Sequence, residues 1–245
     1  MRPGVRKSIL TLIAVGVVAF AIVIVGPVVY RLMTNQGVKT GDLHVANVVP
    51  ATTDRNGTWE VIGGAAGNTT SVGFTFDELL PGSQRTTSGS TNEVTGQFRV
   101  ENNELVDGGL TVDMTTLTTD IERRDINVRM TIFSTDTFPE ARFEVGHGET
   151  SEPGRGALYG TDLSSVPDDG GAVRLNIPGR LTIRGVTRDV IVPMDVVRSE
   201  NYVLMGGTLP INRLDYDVRT PDFVAAKVDE NGELNLRIVL RKVEG

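Results

Sequence analysis

The stretch VTGQFRVENNELVDGGLTVDMT, residues 94–115, decides the fold. Val94, Gly96, Phe98 and Val100 occupy alternate positions, with Thr95, Gln97 and Arg99 between them. A period of two turns one face of a strand to a core and the other to water. Asn102-Asn103 then interrupts the run, and Asn tolerates the left-handed backbone that a tight hairpin needs. Leu110, Val112 and Met114 alternate afterwards with Thr111, Asp113 and Thr115. This is an antiparallel hairpin with one apolar face.

Further along the chain the same rhythm returns. Leu175, Ile177, Gly179, Leu181 and Ile183 share a face up to a turn at Gly185, and Val190, Val192, Met194 and Val196 run back. Val203, Met205, Gly207, Leu209 and Ile211 form another strand, and Leu234, Leu236, Ile238 and Leu240 the last. With Thr58–Val61, Val72–Phe76 and Arg142–Val145 the chain has at least eight strands. Such strands close into an up-and-down barrel or pair as a sandwich. The run from Ala172 to Ile183 spans roughly 40 Å at ~3.3 Å per residue, which favours an elongated barrel unless Pro178-Gly179 breaks it. The inward glycines 96, 179 and 207 either enlarge a lumen or mark bends.

The alternation stops in LTTDIERRDINVRMTIFSTDTFPEARF, residues 117–143. Asp120 to Arg129 is a short charged helical segment, followed by Phe133, Phe138 and Phe143 around Pro139. A helical interruption in an all-β chain belongs at an opening or an end of the barrel.

The N-terminus is a different material. Residues 8–30 carry no charge, and as a helix they would extend about 34 Å, enough for a ~30 Å hydrocarbon core. A secretory signal has an apolar core of only ~7–15 residues and a small-residue cleavage site, which this run lacks. Arg2, Arg6 and Lys7 precede it, so the reading is an uncleaved single-pass anchor with a cytoplasmic N-terminus and an extracytoplasmic C-terminal domain. Residues 1–33 are the cytoplasmic tip and anchor, polar residues 34–56 a tether, and 57–245 the β domain. Beyond residue 39 there remain 19 basic against 31 acidic residues, a net charge of −12 that argues against nucleic acid as a partner. There is no cysteine, hence no disulfide framework and no thiolate metal site.

Reactive constellations are missing. His44 and His147 belong to no ligand-spaced cluster, no serine sits on a nucleophile elbow, and the acidic-glycine loops at 168–171 and 229–232 fit no calcium-binding spacing. The chain is read as a non-enzyme without a resident cofactor or metal. What remains is an apolar interior: Phe74, Phe76, Phe98, Val112, Met114, Phe133, Phe138, Phe143, Leu181, Ile183, Met194, Leu209, Ile211, Leu236 and Ile238 are the candidate ligand-lining residues. Arg124, Asp125 and Arg129 are candidates for a polar end, either as a structural clasp or as contacts to a ligand phosphate. Two functions fit: a carrier holding an isoprenoid or quinone-like lipid, or a non-catalytic interaction module for envelope stress or cell-wall assembly, with a filled barrel. The oligomeric state stays open, a homodimer included.

Several blocks resemble the YceI-like family of polyisoprenoid-binding proteins. They are Trp59-Glu60, Ser71-Val72-Gly73-Phe74 and Val94-Thr95-Gly96-Gln97-Phe98; then Leu117 to Phe143 with its Arg124-Asp125, Arg129 and Phe138-Pro139; then the hairpin from Gly179 to Arg188 and the block from Pro210 to Tyr216. The resemblance covers roughly residues 58–242. It implies an extended eight-stranded antiparallel barrel, lipocalin-like in outline, with an isoprenoid in its tunnel. Many members have His-Ser where this chain has Thr70-Ser71, so no role for that histidine carries over.

Overall fold

A computed structural model of the chain describes residues 38–46, 48–80, 83–145, 160–220 and 227–243. The expected anchor helix at 8–30 and His147 lie outside these residues. Among those described, no helix is long and apolar enough to cross a membrane.

The strands are β1 (Gly57–Ile62), β2 (Gly64–Ala65), β3 (Asn68–Thr69), β4 (Ser71–Leu80), β5 (Ser83–Thr91), β6 (Val94–Glu101) and β7 (Glu104–Asp113). After a helical segment come β8 (Glu140–Val145), β9 (Thr161–Asp162), β10 (Val173–Ile183), β11 (Val186–Ser199), β12 (Tyr202–Asn212) and β13 (Lys227–Lys242). β1 and β4 lie end to end along one edge of β13, and β6 and β5 lie end to end beside them. Counting each pair as one interrupted strand, the sheet closes into an eight-stranded antiparallel barrel. Closure leaves no free edge along the β1–β13 seam.

The two hairpins expected from sequence form at their turns. Asn102 and Asn103 take φ of 52° and 65°, and Arg184 and Gly185 take 49° and 74°. Pro178 does not break its strand: pairing runs without a slip from Val173↔Val196 to Ile183↔Val186.

Residues 114–139 are the helical interruption. One 3₁₀ turn at Met114–Thr116 leads to α1 (Glu122–Asn127), which continues as a wider π turn over Val128–Phe133. Ser134, with φ of 52°, ends it. The segment is tied back to β5, where Ser90 and Thr118 exchange backbone hydrogen bonds of 2.9 and 3.0 Å.

Of residues 34–56, expected as a tether from their polar composition, the described residues 38–46 and 48–56 are laid against the barrel. Thr40 is buried with its hydroxyl 2.9 Å from that of Ser71. The Asn68 amide clasps the His44 backbone from both sides at 2.8 Å. Ala51 donates to Asp168 O at 2.7 Å, and Thr52 to Glu200 O at 2.9 Å. Underneath, Val197, Leu204 and Val239 point out of the barrel yet are wholly buried, covered by Leu43, Val48, Ile62, Ala65 and Tyr202. Burying a side chain of this kind stabilises by about 1.5–3 kcal/mol, and the strap's Leu43 and Val48 supply part of that cover.

Candidate functional site: a divided apolar lumen

Among the described residues, three apolar cavities lie in a row along the barrel, walled by inward strand faces and, at one end, by the helical segment. The first, about 100 Å³, has Trp59, Phe98, Met194, Leu209 and Ile238 in its wall. The middle one, about 70 Å³, is lined by Val112, Met114, Leu117 and Ile183. The third, about 170 Å³, lies under the helical segment between Phe76, Val128, Ile132 and Val218. Leu110, Phe143, Leu181, Leu234 and Leu236 are walls of both the first and middle chambers. Phe74 and Phe133 are walls of both the middle and third.

Phenylalanine rings therefore stand in both partitions, Phe143 among four leucines in one and Phe74 with Phe133 in the other. Phe74 meets Phe133 with ring centroids 5.6 Å apart at 53°, and Phe76 at 6.2 Å and 47°. Such tilted pairs contribute about 0.5–1.5 kcal/mol beyond their burial. Of the glycines 96, 179 and 207, Gly179 seats a ring, whereas Gly96 and Gly207 lie against the backbone of Gly109 and Pro193 on the neighbouring strands. A Cβ on Gly179 would overlap the Phe143 ring, one on Gly232 the Phe76 ring, and one on Gly89 the Phe74 ring.

Volume decides what the chambers admit as they stand. A dry apolar cavity of ~150 Å³ takes benzene. The first two chambers fall short of that, so a chain longer than one isoprene unit enters only if Phe143, and then Phe74 or Phe133, turns aside.

Most sequence candidates meet here. Phe74, Phe76, Phe98, Val112, Met114, Phe133, Phe143, Leu181, Ile183, Met194, Leu209, Leu236 and Ile238 all line one chamber or two. Two lie elsewhere. Ile211 packs on the edge of the core without reaching a chamber. Phe138 sits against Gly185 outside the lumen, with the Arg184 guanidinium 5.8 Å from its centroid. It follows Ser134, whose left-handed backbone ends the helical segment and reverses the chain.

The charged trio of the helical segment mostly serves that segment. Asp125 is buried and accepts from both the amide and hydroxyl of Thr119 at 2.6 Å. Arg129 donates to Leu117 O at 3.1 Å. Arg124 lines the third chamber but is paired with the buried carboxylate of Asp120. A side chain outside the sequence candidates, Arg213, shares this end; it is buried and forks onto the carbonyls of Val218, Asp229 and Val228 at 2.8, 2.9 and 3.2 Å.

At the opposite end the first chamber has two further polar wall residues that alternation alone passes over, Arg55 and Arg198. Arg198 occupies the last inward position of β11 and is 4% exposed. Its Nη1 pairs with Asp168 and its Nη2 donates to Thr53 O. Burial pushes its pKa below the usual guanidinium value, opposed chiefly by Asp168, with Arg55 adding to the lowering. Arg55 donates to Leu163 O at 2.9 Å and to the same Asp168 at 3.1 Å. The signal in sequence was an arginine continuing the apolar face of Val192, Met194 and Val196.

Residues 65–240 match the sequence profile of the YceI-like domain family. The chain belongs to the YceI-like family. No curated protein matches it. Among solved structures this YceI-like chain is similar to a polyisoprenoid binding domain from Saccharophagus degradans implicated in plant cell wall breakdown, at 12% identity and a TM-score of 0.53. That match covers 76% of this chain and 98% of the other. It is also similar to BcnA of Burkholderia cenocepacia, at 18% identity and a TM-score of 0.51, covering 69% and 94%. At these identities the likeness speaks for the shared YceI-like barrel.

Proposed function

We propose that this YceI-like barrel is a non-catalytic binding or transport protein for the hydrocarbon chain of an isoprenoid or a similar long-chain lipid, with a quinone-like lipid in the same class. The observation that carries this reading is the row of apolar chambers divided by phenylalanine rings. An extended chain replacing those partitions would gain ~0.8 kcal/mol for each CH₂ taken from water, which offsets turning a few rings. The neighbour described as a polyisoprenoid binding domain supports the same ligand class.

The apolar run at 8–30 supports a membrane location for this activity: read as an uncleaved anchor, it puts the N-terminus in the cytoplasm and the barrel outside it.

Native mass spectrometry of the full chain, extracted from its own membrane, tests the binding. A retained hydrocarbon lipid supports it; absence of any lipid, with no uptake of added quinones or prenols, overturns it. The small closed volumes favour one second reading, an interaction module whose barrel stays filled. That reading requires protein partners that persist when Leu181 and Leu236 are enlarged to Phe.

A further inference from the structure

Four large apolar side chains stand exposed around the helical-segment end of the barrel. Leu79, Ile126, Met130 and Leu214 are 63%, 53%, 52% and 43% exposed. Each is close in sequence to a wall residue of the third chamber. Leu79 follows Glu78, Ile126 precedes Asn127, Met130 falls between Val128 and Ile132, and Leu214 follows Arg213. The helical segment is thus apolar on both sides: Val128, Ile132 and Phe133 wall the chamber, while Ile126 and Met130, four positions apart, face out. Glu78, Asn127 and Thr220 belong to the same wall and none of them is buried, so the chamber lies next to the surface here. The other exposed ones, Val38, Val45, Val49, Ile191 and Val243, are scattered over the strap, β11 and the C-terminus.

The strap marks the same end. Followed towards its N-terminus, it passes from Glu200 at the far turn to Asn68 and then to Glu233, which Lys39 pairs at 2.7 Å. Glu233 faces Thr75, between Phe74 and Phe76 of the third chamber. Only residues 31–37 separate Val38 from the apolar run at 8–30, and seven extended residues reach about 25 Å at most. Charge gives the rim no preference for an anionic surface, since Arg123, Arg219 and Lys227 are exposed beside Glu122, Asp215, Asp217 and Asp229.

We infer that this rim is the surface through which the barrel touches a bilayer: Leu79, Ile126, Met130 and Leu214 enter the interfacial region of a zwitterionic membrane. The inference rests on the membrane and lumen readings and adds which end of the barrel meets lipid. Contact there sets the third chamber against the layer that holds a hydrocarbon ligand. Apolar side chains spaced around a chamber suit a fluid surface, which needs no matching shape, whereas a folded partner requires close complementarity.

The chain has no cysteine, so single labels report each end without background. Met130→Cys at the rim and Glu104→Cys beside the far turn, both exposed positions, each carry a nitrobenzoxadiazole fluorophore. The full chain is reconstituted in phosphatidylcholine nanodiscs in which some lipids bear a nitroxide high on the acyl chain. The expected result is at least about threefold stronger nitroxide quenching at 130 than at 104, with aqueous iodide giving the reverse order. Ile126→Asp, also at an exposed position, should bring the label at 130 at least halfway to the value at 104 with an unchanged circular dichroism spectrum. Replacing part of the lipid by phosphatidylglycerol should leave the ratio within about twofold, because the contact is apolar.

Equal quenching at the two ends, or stronger quenching at 104, overturns the docking surface. Contact that appears only with phosphatidylglycerol overturns it too. A label at 130 shielded from both quenchers places a protein, a second copy included, over the rim and has the same consequence. The lumen reading is judged apart from these by lipid retention. A chain that does not stay with the nanodiscs overturns the membrane reading, and this inference with it.

Discussion

The ring of Phe143 on β8 lies over Gly179 on β10, in the space a methyl group at 179 would occupy. The pairing register makes this possible, since Phe143 faces Leu181 and Gly179 faces Val145, so ring and glycine are diagonal neighbours. Gly179→Ala should force the ring inward or open the strand pair, costing about 1–3 kcal/mol in urea unfolding. Phe143→Ala should cost about 3 kcal/mol, because the ring is only part-buried, and should join the first and middle chambers. A shift of ligand preference towards longer chains in Phe143→Ala, measured with a prenol series, checks that this ring is a partition.

Asp125 holds the start of the helical segment through Thr119. Asp125→Ala should destabilise the protein by about 1–3 kcal/mol, since the buried Thr119 donors lose their acceptor. Asp125→Asn keeps one acceptor oxygen and should recover part of that loss. Hydrogen exchange across residues 120–133 should rise in the Ala variant ahead of the barrel strands; equal acceleration everywhere would contradict the local clasp.

Arg213 secures the end of β12 and the start of β13 with three carbonyl contacts. Arg213→Lys keeps the charge but cannot form the fork, and should cost about 3 kcal/mol. Denaturant midpoints unchanged within error would show that the contacts are replaced by water.

Tyr216 is buried, and burial, aided by the Asp215 charge, raises its phenol pKa to about 12 from 10.0. A raised folded pKa means the neutral form is the one the fold accommodates. The contribution is complete below pH 10 and is lost as pH climbs towards 12, up to about 3 kcal/mol in total. Tyr216→Phe should flatten that part of the stability curve relative to the unaltered chain. Parallel curves for the two proteins between pH 10 and 12 would contradict the burial argument.

The barrel was legible because most of its strands keep a period of two on the inward face, from Val94–Val100 to Leu234–Leu240. The lining residues followed from the same parity. Three things were not legible. Val196-Val197, Val203-Leu204 and Ile238-Val239-Leu240 are apolar on both faces, which signals a covered exterior, yet the covering strap is polar and contacts them through Leu43 and Val48. The inward glycines left a wider lumen and a bend equally open, because alternation gives the parity of a position but not which ring leans over Gly179. Arg55 and Arg198 come from a strap and a strand end far apart in sequence, joined only through Asp168. Arg198 left a local mark by continuing the apolar face of Val192, Met194 and Val196, but its long-range pairing with Asp168 left none.

The central claim is that one extended hydrocarbon chain can replace the phenylalanine partitions and thread the chambers. A structure of the protein purified with the lipid it retains tests this most directly. The account predicts continuous elongated density from the Arg198 end past Met194, with the Phe143 ring turned off Gly179. Density confined to side chains, with Phe143, Phe74 and Phe133 still closing the three chambers, would contradict it.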